Sequence, residues 1–183
     1  MKKIFLFGLL LAALILSACG SNDTSTVVKP YLESEDGDLS DDRERPTVFQ
    51  LGTGTTTLSG TTEREDLDYF RISVPEGGVL SAVTLSEYES LDNAAFIAVV
   101  EGKTFAVEED GGDTAATELL GYSRMGPEEL NQNLLPLMAE GNFEGGAAPI
   151  GFETPLTAGD YSFWIQQTGL ETTYTLQFKL DLE

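Results

Sequence analysis

The chain is 183 residues long and carries 31 acidic against ten basic side chains, a formal net charge of −21, with no histidine and a single cysteine, Cys19. A surface this acidic repels phosphate backbones and excludes nucleic acid as a partner, leaving divalent cations, basic proteins or solubility alone as uses for the surplus carboxylates. Without imidazole there is no histidine-based triad, and with one cysteine there is no disulfide or cysteine zinc site, so catalysis would need carboxylates, a serine-lysine pair or a metal held by oxygen.

At the amino terminus, Lys2 and Lys3 precede an apolar run over residues 4–15, which ends in Leu16-Ser17-Ala18-Cys19. The run falls short of the roughly 20 residues that span a bilayer, and so fits a signal segment better than a transmembrane helix. Small residues ahead of a lone cysteine resemble the lipobox of bacterial lipoproteins. That resemblance implies cleavage after residue 18, acylation of Cys19 with palmitate-type chains, and a mature chain held to the membrane by lipid. Gly20 follows the cysteine where an aspartate would oppose it, which resembles the pattern permitting sorting to the outer membrane in enteric-type bacteria. Removal of residues 1–18 takes away Lys2 and Lys3 but no acid, leaving eight basic against 31 acidic residues and a net charge of −23.

Residues 19–46 are poor in large apolar groups, rich in Ser, Thr, Asp and Glu, and punctuated by Pro30 and Pro46, the composition of an acidic tether. Fully flexible, it would reach on the order of 30 Å. Its later half carries Glu33, Glu35, Asp36 and Asp38, and residues 33–38 are a candidate for docking on the domain that follows.

From Thr47 to the end the pattern is strand after strand, so residues 47–183 read as one domain. Threonine-rich runs at 47–51 and 55–59 flank Gly52 and Gly54, as in a hairpin. In residues 69–74, Phe70, Ile72 and Val74 share one face and Tyr69, Arg71 and Ser73 the other. Pro75 and Gly77-Gly78 end that strand and Val79 begins the next, over 79–85. Residues 95–100 and 103–107 flank the tight-turn pair Glu101-Gly102. Near the end, Tyr161, Phe163 and Ile165 alternate with Ser162, Trp164 and Gln166, leaving open which set faces the core. The last strand is the clearest, with Tyr174, Leu176, Phe178, Leu180 and Leu182 on one face. Alternation with a period of two predicts sheets that each bury one face, hence an all-β fold, a jelly-roll-like β-sandwich with an aromatic core.

Residues 108–155 break the rhythm with eight glycines, ten acids and Arg124 as the one base, too long for a plain connection. Pro127-Glu128-Glu129 has the proline and acids of a helix start, and Leu130, Leu134 and Met138 recur at a spacing of four, although Pro136 should break or kink the helix. The expectation is a partly helical insertion whose leucines cap an open edge or end of the sandwich; a flap contacting a partner is the alternative.

With the strands placed, a broader order emerges: Glu33-Ser34-Glu35-Asp36-Gly37-Asp38, a threonine-rich segment, Asp66-Leu67-Asp68-Tyr69-Phe70, Val74-Pro75-Glu76-Gly77, then Gly159-Asp160-Tyr161 and Tyr174-Thr175-Leu176. This order resembles the bacterial pre-peptidase C-terminal domain, a β-sandwich that accompanies secreted peptidases and other exported proteins. The resemblance covers most of residues 33–180, departing at Gly37, where the family often has asparagine, and over 108–155. Some members bind calcium between the leading acidic segment and the sandwich. Carried over by position, that implies Glu33, Glu35, Asp38, Asp66 and Asp68 as oxygen ligands of calcium. Chemistry independent of the resemblance agrees, since calcium takes six to eight oxygens and crowded acids without a cation are strained; a solvated acidic tether is the alternative.

The expectation is therefore a lipid-anchored cell-envelope protein carrying a non-catalytic binding or structural sandwich, its partner an envelope or extracellular protein or polysaccharide. The competing expectation is a small carboxylate-based hydrolase acting on polysaccharide, which needs two acids roughly 5 to 10 Å apart across a cleft. No pair in the sequence stands out for that role.

Overall fold

Alternating side chains become two packed sheets in a computed structural model that describes residues 28–107, 117–143 and 146–182; Cys19 and the rest of the lipobox lie outside the described residues. The elements in chain order are β1 (Tyr31–Leu32), α1 (Glu33–Asp36), β2 (Thr47–Val48), β3 (Gly54–Thr62), β4 (Leu67–Val74), β5 (Gly78–Glu89), β6 (Ala95–Glu101), β7 (Gly121–Met125), α2 (Leu134–Glu140), β8 (Gly159–Gln166) and β9 (Thr172–Leu182). One sheet has the order β1-β3-β9-β5 and the other β2-β4-β8-β6-β7, so the expected all-β sandwich is the observed fold.

Side-chain alternation decides the core. Phe70, Ile72 and Val74 of β4, Tyr161, Phe163 and Ile165 of β8, and Tyr174, Leu176, Phe178 and Leu180 of β9 all point between the sheets. Phe70 and Phe163 stack with centroids 5.1 Å apart, and Phe178 from the opposite sheet meets both edge-on at 5.8 and 5.9 Å. Aromatic pairs of this geometry add about 0.5–1.5 kcal/mol each beyond the area they bury.

The five-stranded sheet is covered on its outer face as well. Tyr69, Ala98, Tyr122 and Trp164 gather there with Phe105, Val107 and Leu119 into a second apolar cluster. Both sets of β8 residues are thus buried, which is why periodicity could not choose between Tyr161 and Trp164. The segment 103–107 packs over this face instead of pairing as the second strand of a hairpin.

The expected hairpin of residues 47–51 and 55–59 does not form. β2 pairs in parallel with β4, Thr47 opposite Phe70, whereas β3 lies in the other sheet against β9. Phe49 is buried where the chain passes from one sheet to the other and meets Phe178 edge-on at 5.1 Å. The two glycines therefore serve a crossover between layers.

Within the insertion, residues 108–116 and 144–145 lie outside the described residues. Pro127–Glu129 forms only a 3-10 turn, and α2 begins at Leu134. Pro136 falls in the first turn of α2, where its missing N–H costs nothing, and so does not break it. Leu134 and Met138 are buried while Leu130 remains 40% exposed, so the spacing of four marks two core contacts rather than three. Asn133 closes the edge of β5: its Oδ1 accepts from Val83 N at 3.1 Å and its Nδ2 donates to Ser81 O at 3.1 Å. The edge of β5 is thus met by Asn133, whereas Leu134 and Met138 join the core.

The acidic segment is docked over a longer stretch than residues 33–38. β1 pairs in parallel with β3, Leu39 is 2% exposed, Tyr69 N donates to Ser40 O, and Phe105 N donates to Arg43 O. The sandwich accordingly begins at Tyr31 rather than at Thr47.

Candidate metal centre

Three carboxylates meet at one end of the sandwich. Glu33 begins α1, Asp38 follows it, and Asp68 sits near the start of β4; one carboxylate oxygen from each lies within 4.8 Å of the others. Asp36 holds α1 in place, accepting Leu32 N at 2.9 Å and Lys29 Nζ at 2.9 Å. Gly37, at φ +97°, then turns the chain so that Asp38 comes back toward Glu33. Tyr31 braces this turn by donating to the Gly37 carbonyl at 2.7 Å.

Glu33 is bound firmly to β3. Its Oε2 accepts Thr61 N at 2.6 Å and Thr61 Oγ1 at 3.1 Å, and its Oε1 accepts Leu39 N at 3.3 Å. Burial raises its pKa, and these hydrogen bonds partly oppose the shift. Gly60 makes the approach possible, since a Cβ there would stand 2.7 Å from the Tyr174 hydroxyl oxygen and 3.0 Å from Glu33 Oε1.

Asp68 is the unusual member. It is fully buried, its Oδ2 accepts the Tyr174 hydroxyl at 2.7 Å, and its Oδ1 has no hydrogen-bond partner. Burial pushes its pKa up to about 9; the tyrosine opposes this, and the charges of Glu33, Asp66 and Asp38 add to it. A buried carboxyl oxygen left without a partner is costly whether or not the group is protonated, and native structures rarely keep one without a ligand, ion or role.

Asp66 lies nearby. Its pKa rises to about 6, first through burial and then through Asp38, Asp41 and Glu63. Glu35 does not join the group: it stays exposed and pairs with Lys29 at 3.3 Å. Of the five acids marked in the sequence, three therefore converge, one flanks them and one points away. Sequence reasoning missed Asp41, which accepts Leu67 N at 3.0 Å and fixes the entry to β4, and Tyr174, whose place in an alternating strand marked it only as core.

The donor set fits a hard divalent cation. All the ligands are carboxylate oxygens, and oxygens around one calcium ion stand no farther apart than about twice the 2.3–2.6 Å bond, which the 4.8 Å grouping satisfies. Calcium accepts six to eight oxygens and magnesium a tighter octahedron of six, so three carboxylates leave room for further oxygens around either ion. Comparison with protein-family models, curated proteins and solved structures finds no match to the chain.

Proposed function

We propose that this is a lipid-anchored cell-envelope protein whose sandwich is a non-catalytic binding or structural module of the pre-peptidase C-terminal type. In this reading Glu33, Asp38 and Asp68 hold a calcium ion, with Asp66 beside them. The observation that carries the cation is Asp68, a fully buried carboxylate with one oxygen unpartnered, facing two further carboxylates. The two-sheet fold and the docked acidic segment support the family reading, because they follow the order of motifs that suggested it. The hydrolase alternative gains no support: Glu33 is spent on three hydrogen bonds, and Glu129, with Asp68 one of the two buried acids among the described residues, is paired with Arg124 at 3.0 Å.

A bound ion lends the folded state its binding energy, about 2.7 kcal/mol at a hundred times its dissociation constant. The test is the melting temperature of the detergent-solubilised protein in calcium against magnesium at matched ionic strength. A rise of several degrees specific to calcium, absent in Asp38→Asn, is expected; equal responses to the two ions reduce the effect to screening. The anchor rests on Leu16-Ser17-Ala18-Cys19 and is checked separately with a fatty-acid analogue, which should label the wild type and not Cys19→Ser. Two acyl chains suffice for stable anchoring where one is marginal.

A further inference from the structure

Three loops meet at the end of the sandwich where β3, β5 and β8 finish and β4, β6 and β9 begin: residues 63–66, 90–94 and 167–171. They are tied to one another. Arg64 Nε donates to Thr168 O at 3.1 Å, Ser90 Oγ to Glu171 O at 3.0 Å, and Gln167 Nε2 to Ala94 O at 3.1 Å. Gly169 packs so closely that a Cβ there would stand 2.8 Å from Asp92 Oδ2. On this braced platform sit two solvent-exposed leucines, Leu91 at 93% and Leu170 at 52% exposure, and neither belongs to an apolar cluster of the domain. We propose that this end is seated on the membrane that holds the lipid anchor, with Leu91 and Leu170 inserted among the headgroups of the bilayer. The proposal rests on the reading of Cys19 as the lipidated residue.

Covalent geometry keeps the bilayer close to this end. Nine residue steps lead from Cys19 to Val28, the first described residue, and at roughly 3.3–3.6 Å per step they span at most about 30 Å in any conformation. β1 then joins the sandwich with Tyr31 opposite Leu58, four residues before Thr62 closes β3, about 14 Å along the strand. The acyl chains and the two leucines can therefore enter one membrane together. Apolar side chains supply the area that holds a protein in the interface, and two of them on one braced end fix an orientation that the acyl chains alone leave free. Charge selects the lipid. Asp92 and Glu171 directly follow the two leucines, and Arg64, the base on these loops, already donates to Thr168. The negative surface potential of anionic lipids repels such carboxylates, whereas the ammonium groups of a zwitterionic surface suit them.

The experiment places the full acylated chain in vesicles of phosphatidylethanolamine and phosphatidylcholine, with an environment-sensitive thiol dye on Leu91→Cys, on Leu170→Cys or on Leu182→Cys. Leu182 is the control, 56% exposed and at the opposite end of β9, facing Gly78. Acylation of Cys19 leaves the introduced thiol as the one labelled. Dyes at 91 and 170 should emit at shorter wavelength than the dye at 182 and be shielded severalfold from an aqueous quencher. Shielding at 91 should fall when Leu170→Asp is added, and when phosphatidylglycerol replaces part of the lipid. Equal quenching at 91 and 182, or shielding at 91 that survives Leu170→Asp, overturns the proposal, as does deeper seating on phosphatidylglycerol. A wild-type chain that takes up no fatty-acid analogue removes the anchor and this inference together; an acylated, vesicle-bound chain whose leucine end stays in water removes this inference alone.

Discussion

The Tyr174 hydroxyl donates a 2.7 Å hydrogen bond to Asp68 Oδ2, tying β9 of one sheet to β4 of the other directly beneath the acidic group. Both residues are fully buried. Tyr174→Phe deletes the donor and leaves both Asp68 oxygens without one. A loss of about 1–3 kcal/mol is expected, seen as a lower denaturant midpoint at unchanged slope. Calcium should also bind more weakly, because the bond favours the charged carboxylate. A variant as stable as the wild type would mean that the tyrosine contributes by packing alone.

Stability should depend on pH with an unusual sign. Asp68 is pushed up to about 9 and Asp66 to about 6, whereas both titrate near 3.9 in an unfolded chain. The folded protein without metal therefore keeps protons that the unfolded chain has released. The contribution of these groups is full below about pH 4 and is lost as pH rises through 6 and then toward 9, by up to about 1.4 kcal/mol per pH unit for the buried Asp68 and by less for the solvent-screened Asp66. A decline between pH 7 and 9 that disappears in Asp68→Asn reports Asp68. Calcium requires the deprotonated ligands, and its stabilising increment should grow over the same window. Melting curves at pH 5, 7 and 9, with chelator and with calcium, test both trends; a flat chelator series would contradict the assignment.

The insertion makes a separate prediction. Asn133 acts at once as the cap of α2, accepting Leu135 N at 3.1 Å, and as a substitute strand along β5 through Val83 and Ser81. Asn133→Ala removes one cap and two edge bonds, for a combined cost of about 2–4 kcal/mol. Amide exchange should accelerate at Val83 and Leu135 more than at the Phe70 and Phe163 strands. Uniform acceleration would instead point to a global loss.

Most of the sandwich was legible because period two is a local property: β4, β5, β8 and β9 can be read from which alternate residues are apolar. What was not legible depends on partners distant in sequence. β2 and β3 look like one hairpin until Phe49 is seen filling the space beside Phe178, and β7 hides in a glycine-rich stretch whose strand character comes from pairing with β6. At the site, position in the chain located Glu33, Asp38 and Asp68. Local sequence could not show that Glu35 turns toward Lys29, or that a core tyrosine would supply the hydrogen bond beneath the group.

The sharpest distinction between a structural acid and a ligand is Asp68→Asn. An aspartate retained only for the fold should be replaceable at a cost no larger than that of other buried polar changes, and at all pH values alike. Here the amide keeps an oxygen to accept the Tyr174 hydroxyl, and its N–H groups can serve the Glu33 and Asp38 carboxylates grouped with it. It also needs no proton to stay neutral, so the penalty of charging a buried acid disappears. The variant in chelator should therefore match or exceed wild-type stability from pH 7 to 9 and lose the decline across that window. In calcium the order should reverse, because the substitution removes the one ligand that cannot be replaced from solvent. Crossing stability curves of that kind would mark Asp68 as kept for the ion at the expense of the metal-free fold. Curves that remain parallel, with and without calcium, would leave it as a buried acid with no ligand role.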